Sequence, residues 1–451
     1  MLDLGQYQIK GTTAREIAHT AEAAIREGLL ETGDALPTVR ALAQTLGTSP
    51  ATVNAAYRIL RERGLVLAEG RRGTRVAPRP ALRVPQPTRG VGSYRAPAPG
   101  VRDLSIGLPD PVLLPPLARA LERVNLERTV AVSGLERSDP ELLALAAASF
   151  EADGVRSDAI AIVAGAFDGI ERVLQAHLRP GDRVMIEDPA YIGIVDLLRA
   201  LGLVAVPVPV DELGLLPEPL EAALARGAEA AVIVPRGQNP FGSALDHARA
   251  AALRQILGRH PEVLLVEDDH AGTVSGAPFE TTIGPSTPRW AVIRSVSKTM
   301  HPDLRLALMA GDEVTVSRVE GRQALGTRWV SHVLQAIVVQ LLRDPDFAPT
   351  SERGRDVYAA RRRALIDALA EHGVAAHGRS GLNVWVPVRE EAPMMRGLAD
   401  AGWLVLAGER FRIMTPPGIR ITISTLREDE AAVLARVIAT VEHAARPRSL
   451  Y

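Results

Sequence analysis

Of the 52 Lys+Arg residues in this 451-residue chain, only Lys10 and Lys298 are lysines. Nearly every cation has become arginine, so the lysine kept at position 298 marks a place where an amine is needed. Arginine stays protonated and is no carbonyl nucleophile, whereas a desolvated lysine loses its proton and forms a Schiff base with a carbonyl. The plain alternative is one surface lysine that survived by chance. Ser295-Val296-Ser297-Lys298 closes an apolar run and Arg305 follows seven residues on, so the amine comes with two hydroxyls and a guanidinium that suit an anion. Gly165-Ala166-Phe167-Asp168 opens a helical pattern just after the apolar run 159–163. A glycine there lets the backbone approach a ligand closely, and the free N–H groups of a helix start suit a phosphate.

An aldehyde that carries a phosphate answers to both the amine and the anion cradle, which makes pyridoxal 5'-phosphate (PLP) the cofactor these residues suit. Asp268 ends the run Val263-Leu264-Leu265-Val266-Glu267-Asp268. A buried carboxylate there holds a pyridine nitrogen protonated; an ordinary strand-end acid is the alternative. Tyr191, in Glu187-Asp188-Pro189-Ala190-Tyr191, is one of six tyrosines and suits stacking on a ring. Asn239 precedes Pro240 in a turn from which its amide reaches a phenolic oxygen, unless it simply closes an Asx-turn.

Together and in this order, the segments resemble the class I/II aminotransferase fold of PLP enzymes over roughly residues 103–445. The resemblance implies the Schiff-base role for Lys298, the pyridinium-binding role for Asp268, ring stacking by Tyr191 and a phenolate contact from Asn239. Phosphate contacts fall to Ser295, Ser297 and Arg305 with the backbone of Ala166 and Phe167, and the substrate carboxylate to Arg420 in Gly418-Ile419-Arg420-Ile421-Thr422. Two positions depart from the pattern. His270 stands where relatives place a tyrosine, and Phe241-Gly242 follows the Asn-Pro turn where they carry Thr-Gly. His270 still has a hydrogen bond to give to the cofactor oxygen.

These residues need an α/β scaffold. The apolar runs 159–163, 183–187, 230–235, 263–268 and 292–295 alternate with helical patterns, which predicts a doubly wound, mainly parallel sheet in a large domain, residues 103–350. A long amphipathic stretch, 314–342, leads into a smaller α+β domain, 351–451, read as helix 351–372, strand 381–388, helix 393–401, strand 419–424 and helix 429–444. Residues 78–102 are rich in Pro, Gly and Arg and predict an extended linker.

Residues 1–77 read differently. Helical patterns at 14–29 and 38–46 precede a third helix capped by Ser49, with Pro50 at its first position and Thr38 capping the second. Val53, Ala56, Tyr57 and Leu60 share the inner face of the third helix, leaving Thr52, Asn54 and Arg58 outward. The alternating run 65–77 turns at Gly70-Arg71-Arg72-Gly73, a hairpin with a basic tip. Three helices and a basic wing make a winged helix-turn-helix. LPTVRALAQTLGTSPATVNAAYRILRERGLVLAEGRRGTRVA resembles the DNA-binding domain of the GntR family. That likeness gives Arg40, Ser49, Thr52 and the wing, with Arg71, Arg72 and Thr74, to double-stranded DNA, and Thr38 at the helix entry and Asn54 and Arg58 on the outward face join them as candidate DNA contacts.

Charge agrees with that division. Residues 1–102 carry 15 Lys+Arg against 8 Asp+Glu, while the rest carries 37 against 45, so a basic end is joined to an acidic body. The absence of cysteine excludes disulfides, thiolate metal sites and Cys nucleophiles, and no metal site is expected. The longest apolar candidate for a membrane span, 329–342, is broken by His332, Gln335 and Gln340, and the N-terminus carries no export pattern, so the cytoplasm is the expected compartment.

A winged helix fused through a tether to an aminotransferase-like domain resembles the MocR subfamily, and SVSKTMHPDLRLALMAGD with GRQALGTRWVSHVLQ resembles its branch linked to vitamin B6 metabolism. The resemblance implies a PLP-responsive, homodimeric regulator of an operator, with PLP and an amino acid as candidate effectors. An active aminotransferase with a vestigial DNA-binding domain is the alternative.

Overall fold

The computed structural model describes residues 9–26, 29–31, 33–62, 65–68, 73–76, 100–133 and 136–444. Arg71, Arg72 and the expected linker up to residue 99 lie outside the described residues.

In the head, Ala14–Arg26, Val39–Leu46 and Pro50–Glu62 are helices, and Val66–Ala68 pairs antiparallel with Thr74–Val76. Short-range chemistry sets these limits. Thr38 Oγ1 accepts from the N–H of Ala41 at 3.2 Å, Gly47 ends the second helix at φ 62°, and Ser49 Oγ accepts from the N–H of Thr52 at 3.1 Å. Ile17, Ala21, Leu42, Val53, Ala56, Tyr57 and Leu60 form one buried core. Arg75 donates to the carbonyl of Gly33 at 2.7 Å, fixing the second wing strand to the segment before the second helix.

In the body, one eight-stranded sheet runs in the order Ala159–Val163, Ala307–Gly311, Trp290–Ser295, Leu264–Asp269, Ala230–Ile233, Arg183–Asp188, Val204–Asp211, Gly214–Leu215. The strands from Trp290–Ser295 across to Arg183–Asp188 are parallel and almost wholly buried, which is why they read as unbroken apolar runs. Ala307–Gly311 is antiparallel to both its neighbours and was not among the expected strands. The stretch 314–342 is two helices, Glu313–Ala324 and His332–Arg343. Between them Arg328 takes φ 66°, and the buried side chain of Val330 turns the chain inward.

A second, antiparallel sheet joins Asn383–Pro387, Gly418–Thr422 and Leu406–Ala407. The helices Phe347–Glu371 and Glu428–Ala444 share its core through Leu365, Leu369, Leu434 and Ile438. Arg102–Asp103 pairs in parallel with Trp403–Leu404 and sends Leu104 into this same core, so the chain enters the body through its C-terminal layer. No helix among the described residues is long and apolar enough to cross a membrane.

Candidate functional site

The ends of the parallel strands and the antiparallel sheet enclose a cavity of about 370 Å³. Ligand sites in doubly wound sheets lie beyond the carboxyl ends of strands, where loops diverge. Lys298 projects into this cavity from the turn after Trp290–Ser295, and its Nζ donates to the carbonyl of Gly107. Burial, with the charges of Arg420 and Arg305, lowers the Lys298 amine from 10.5 to about 8.

Three consecutive acids, Glu267, Asp268 and Asp269, are all buried at the end of the neighbouring strand. The pleat sorts them by its period of two. Glu267 accepts from Thr281 and Thr282, and Asp269 pairs with Arg236 and Arg294 at 2.7–2.8 Å, both away from the cavity. Asp268 alone lines it, with Oδ1 buried and lacking any hydrogen-bond partner. Burial and the charge of Asp269 raise Asp268 to about 7. His270 stands 3.8 Å from the other oxygen of Asp268, and burial together with the Lys298 charge lowers its imidazole to about 4, so it is neutral near pH 7.

The same cavity holds an anion cradle. Gly165 begins the helix Ala166–His177 at φ 100°, and a Cβ there would stand 3.3 Å from a guanidinium nitrogen of Arg305, itself held at φ 44°. Asp168 folds back to accept from the N–H of Ala164 at 3.0 Å, leaving the N–H groups at the start of the helix for a ligand. Ala166, Ser295, Ser297 and Arg305 line this end. Phe167 and Tyr191 meet edge to face at 5.5 Å on the cavity wall.

Arg420 reaches the cavity from the antiparallel sheet, 3% exposed. Its guanidinium lies 5.0 Å above the Phe411 ring and donates to Asn239 Oδ1 at 3.3 Å and to the carbonyl of Ser105, while its Nε is buried without a partner. Burial lowers Arg420 to about 10. Phe241 does not line the cavity. It stacks on His377 at 4.4 Å and packs with Trp385, Leu406 and Phe411, so this departure from the usual turn serves packing between the two sheets.

On the head, Thr38, Arg40, Ser49, Asn54 and Arg58 are exposed, and Thr52 and Thr74 half-buried. The Thr52 hydroxyl is 2.8 Å from that of Ser49, which ties it into the cap. The outward face of the third helix is thus set by Val53, Ala56, Tyr57 and Leu60 facing in.

The class I and II aminotransferase family matches residues 100–438, and the bacterial regulatory protein gntR family matches residues 13–76. The vitamin B6 salvage pathway transcriptional repressor PtsJ of Salmonella typhimurium is 42% identical over 429 residues, covering 95% of this chain and 98% of its own. The chain belongs to the gntR-type transcriptional regulators with an aminotransferase-like body. The pyridoxine biosynthesis regulator PdxR of Corynebacterium glutamicum is 26% identical over 77% of this chain and 76% of its own length. Among solved structures, Pyrococcus horikoshii kynurenine aminotransferase in complex with PMP superposes with a TM-score of 0.69 at 20% identity, covering 78% of this chain and 93% of that one. Thermus thermophilus LysN, an alpha-aminoadipate aminotransferase complexed with N-(5'-phosphopyridoxyl)-L-leucine, gives 0.66 at 24%, covering 77% and 93%. The aminotransferase fold family is PLP-dependent, and the gntR head of such a regulator is a DNA-binding domain.

Two features of this regulator's cavity had no separate signal in the sequence. The carbonyls of Ser105 and Gly107 come from a segment about 190 residues before Lys298. Arg410 and Phe411 line the wall from a one-turn helix, Gly408–Arg410, and the residue after it.

Proposed function

We propose that this regulator binds PLP covalently on Lys298 and couples occupancy of the body to operator binding by the head. On this reading residues 1–77 form the DNA-binding head, 78–102 the linker, and 103–350 and 351–451 the two domains of the body. The protein acts in the cytoplasm as a homodimer that reads a repeated or palindromic site in double-stranded DNA.

One observation carries the reading. The only lysine of the body lowers its proton affinity inside a cavity whose wall presents an unpartnered, buried carboxylate oxygen of Asp268. A pyridinium N–H satisfies that oxygen, and a phosphate satisfies Arg305, Ser295, Ser297 and the helix start at Ala166 and Phe167, so the donor set fits the cofactor. When bound, PLP supplies an electrophilic carbonyl and an electron-withdrawing ring. Asp268 then turns anionic beside a cation and holds the proton on the ring nitrogen. Neutral His270 and the Asn239 amide suit the phenolic oxygen, Tyr191 suits the ring, and Arg420 takes the carboxylate of an amino acid as second ligand. The names of the PtsJ and PdxR relatives support a B6 vitamer as the effector and regulation over turnover.

Replacing Lys298 by Ala should abolish the visible absorbance of covalently held cofactor, and persistence of that band rejects the assignment. Operator binding with and without PLP, and PLP binding with and without operator, should change by the same factor, on the order of 5- to 150-fold. Unchanged affinity in both titrations rejects PLP as the effector.

A further inference from the structure

A smaller cavity of about 30 Å³ adjoins the one that holds Lys298. The two share Phe167, Tyr191, Val234 and Asp268, and Ile170, Ile186, Ile194 and Val232 make most of the remaining wall apolar. Into this wall the strand Arg183–Asp188 brings a second acid, Glu187, 3% exposed, which does not line the large cavity. Besides the two acids, Tyr191 is the one ionisable side chain lining the small cavity among the described residues, and no cation does. Lys298, Arg305 and Arg420 line the large cavity, onto which only Asp268 of the two acids opens. Two carboxyls in so apolar a space hold a proton between them, because ionising both is costly. The negative charge belongs on Asp268, which meets the cations, and the proton on Glu187. Burial, with the charge of Asp268, raises Glu187 to about 8, in the same sense.

The hydrogen bonds around Glu187 suit an uncharged acid. Its Oε1 accepts from the N–H of Val234 at 3.1 Å, and the Gln238 amide is a second donor to it. Gln238 is buried and fixed at both ends, its Nε2 donating to the carbonyl of Pro189 at 2.7 Å and its Oε1 accepting from the N–H of Phe241 at 2.8 Å. A protonated Glu187 still has its own O–H to give, and Asp268 Oδ1 is a buried acceptor without a partner. No hydrogen bond joins the two carboxyls directly. A cavity this size has room for a water molecule, for which about 10–15 Å³ suffices, with a carboxyl at either end to hold it.

We propose that Glu187 is a positioning residue for Asp268: as an uncharged acid it donates through one buried water to the Asp268 carboxylate, and so keeps the single negative charge of the pair where the ring nitrogen of the cofactor meets it. A carboxylate has lone pairs for both the water and the ring N–H. The inference rests on the cofactor reading given above. The test loads the full-length protein with PLP labelled with 15N in the ring, and compares wild type with Glu187→Gln and Glu187→Met at pH 7. The amide of Gln donates as the acid does, so PLP affinity should stay within about threefold and the ring nitrogen should keep its pyridinium chemical shift. Met fills the same space without a donor, so affinity should fall about tenfold or more and the 15N shift should move toward that of free pyridine. The melting temperature of each variant reports folding on the same sample. Independently of Met, the infrared difference spectrum between wild type and Glu187→Gln should contain the C=O stretch of a protonated carboxylic acid. A carboxylate band in its place, a Gln variant that loses ring protonation, or a Met variant that folds and keeps both affinity and shift overturns the proposal. A wild-type protein that takes up no PLP on Lys298 overturns the cofactor reading instead, and the infrared band of the apo-protein still reports whether Glu187 holds its proton.

Discussion

The rate at which Lys298 captures PLP should depend on pH in a way that the cavity dictates. Its amine lies near 8 against an ordinary 10.5, with burial as the first cause and the charges of Arg420 and Arg305 behind it. At pH 7 the neutral, reactive fraction is therefore roughly 300-fold larger than for a free lysine side chain. Capture should climb as pH rises toward 8 and level off there, where an unperturbed amine would keep gaining to 10.5. Arg420→Leu removes one of the two like charges and leaves the cradle at Arg305 intact. Because burial dominates, the midpoint should move up by only about half to one pH unit, which slows capture at pH 7 by about 3- to 10-fold. The assay is stopped-flow growth of the visible band on mixing apo-protein with PLP across this pH range, with N-acetyl-lysine amide as the reference amine. A wild-type midpoint at 10 or above, or an Arg420→Leu midpoint that stays in place, refutes the reasoning. The same group makes the folded apo-protein bind fewer protons than the unfolded chain between about 8 and 10.5, so its contribution to stability rises with pH across that window.

Glu187, fully enclosed and accepting from the N–H of Val234 at 3.1 Å, is raised by burial and by the Asp268 charge from 4.5 to about 8. Its stabilisation is complete below 4.5 and is lost as pH rises to 8, so Glu187→Gln should gain stability relative to wild type by up to about 1.4 kcal/mol per pH unit in that window; parallel urea melts at pH 5 and 8 check the sign. Asp188→Ala frees the N–H groups of Ile413, Met414 and Thr415, which follow the cavity-lining Arg410 and Phe411 in sequence, and should cost about 2–4 kcal/mol in urea unfolding; a loss below about 0.5 kcal/mol would mean that Asp188 does not hold this segment. Replacing Arg71 and Arg72 together by Ala should weaken binding to all DNA sequences alike and lower the salt slope by about 2, and full affinity at physiological salt would remove the wing from the interface.

The sequence by itself determined the elements whose ends are written in adjacent residues. Thr38 and Ser49 cap helices because their hydroxyls reach N–H groups three residues on, and Pro50 opens a helix because its missing donor was unneeded. The fully buried parallel strands were legible as Val- and Ile-rich runs, and Lys298 stood out because the composition had removed its rivals. Tertiary structure decided what depends on partners far along the chain. The run Ala307–Gly311 is a strand because Ala159–Val163 and Trp290–Ser295 supply hydrogen bonds on both sides, and nothing in its own residues demands that. The break between Ala324 and His332 interrupts what reads as one amphipathic pattern, because Val330 has a buried place to fill. Phe241 follows the Asn-Pro turn in sequence yet faces His377 and Trp385, brought there by the other sheet. How far each of Glu267, Asp268 and Asp269 holds its proton depends on Thr281, Thr282, Arg236 and Arg294 arriving on one face and leaving the other bare. Local sterics and capping act within a turn of chain, whereas burial and charge act through space, and the chemistry of this cavity is made of the latter.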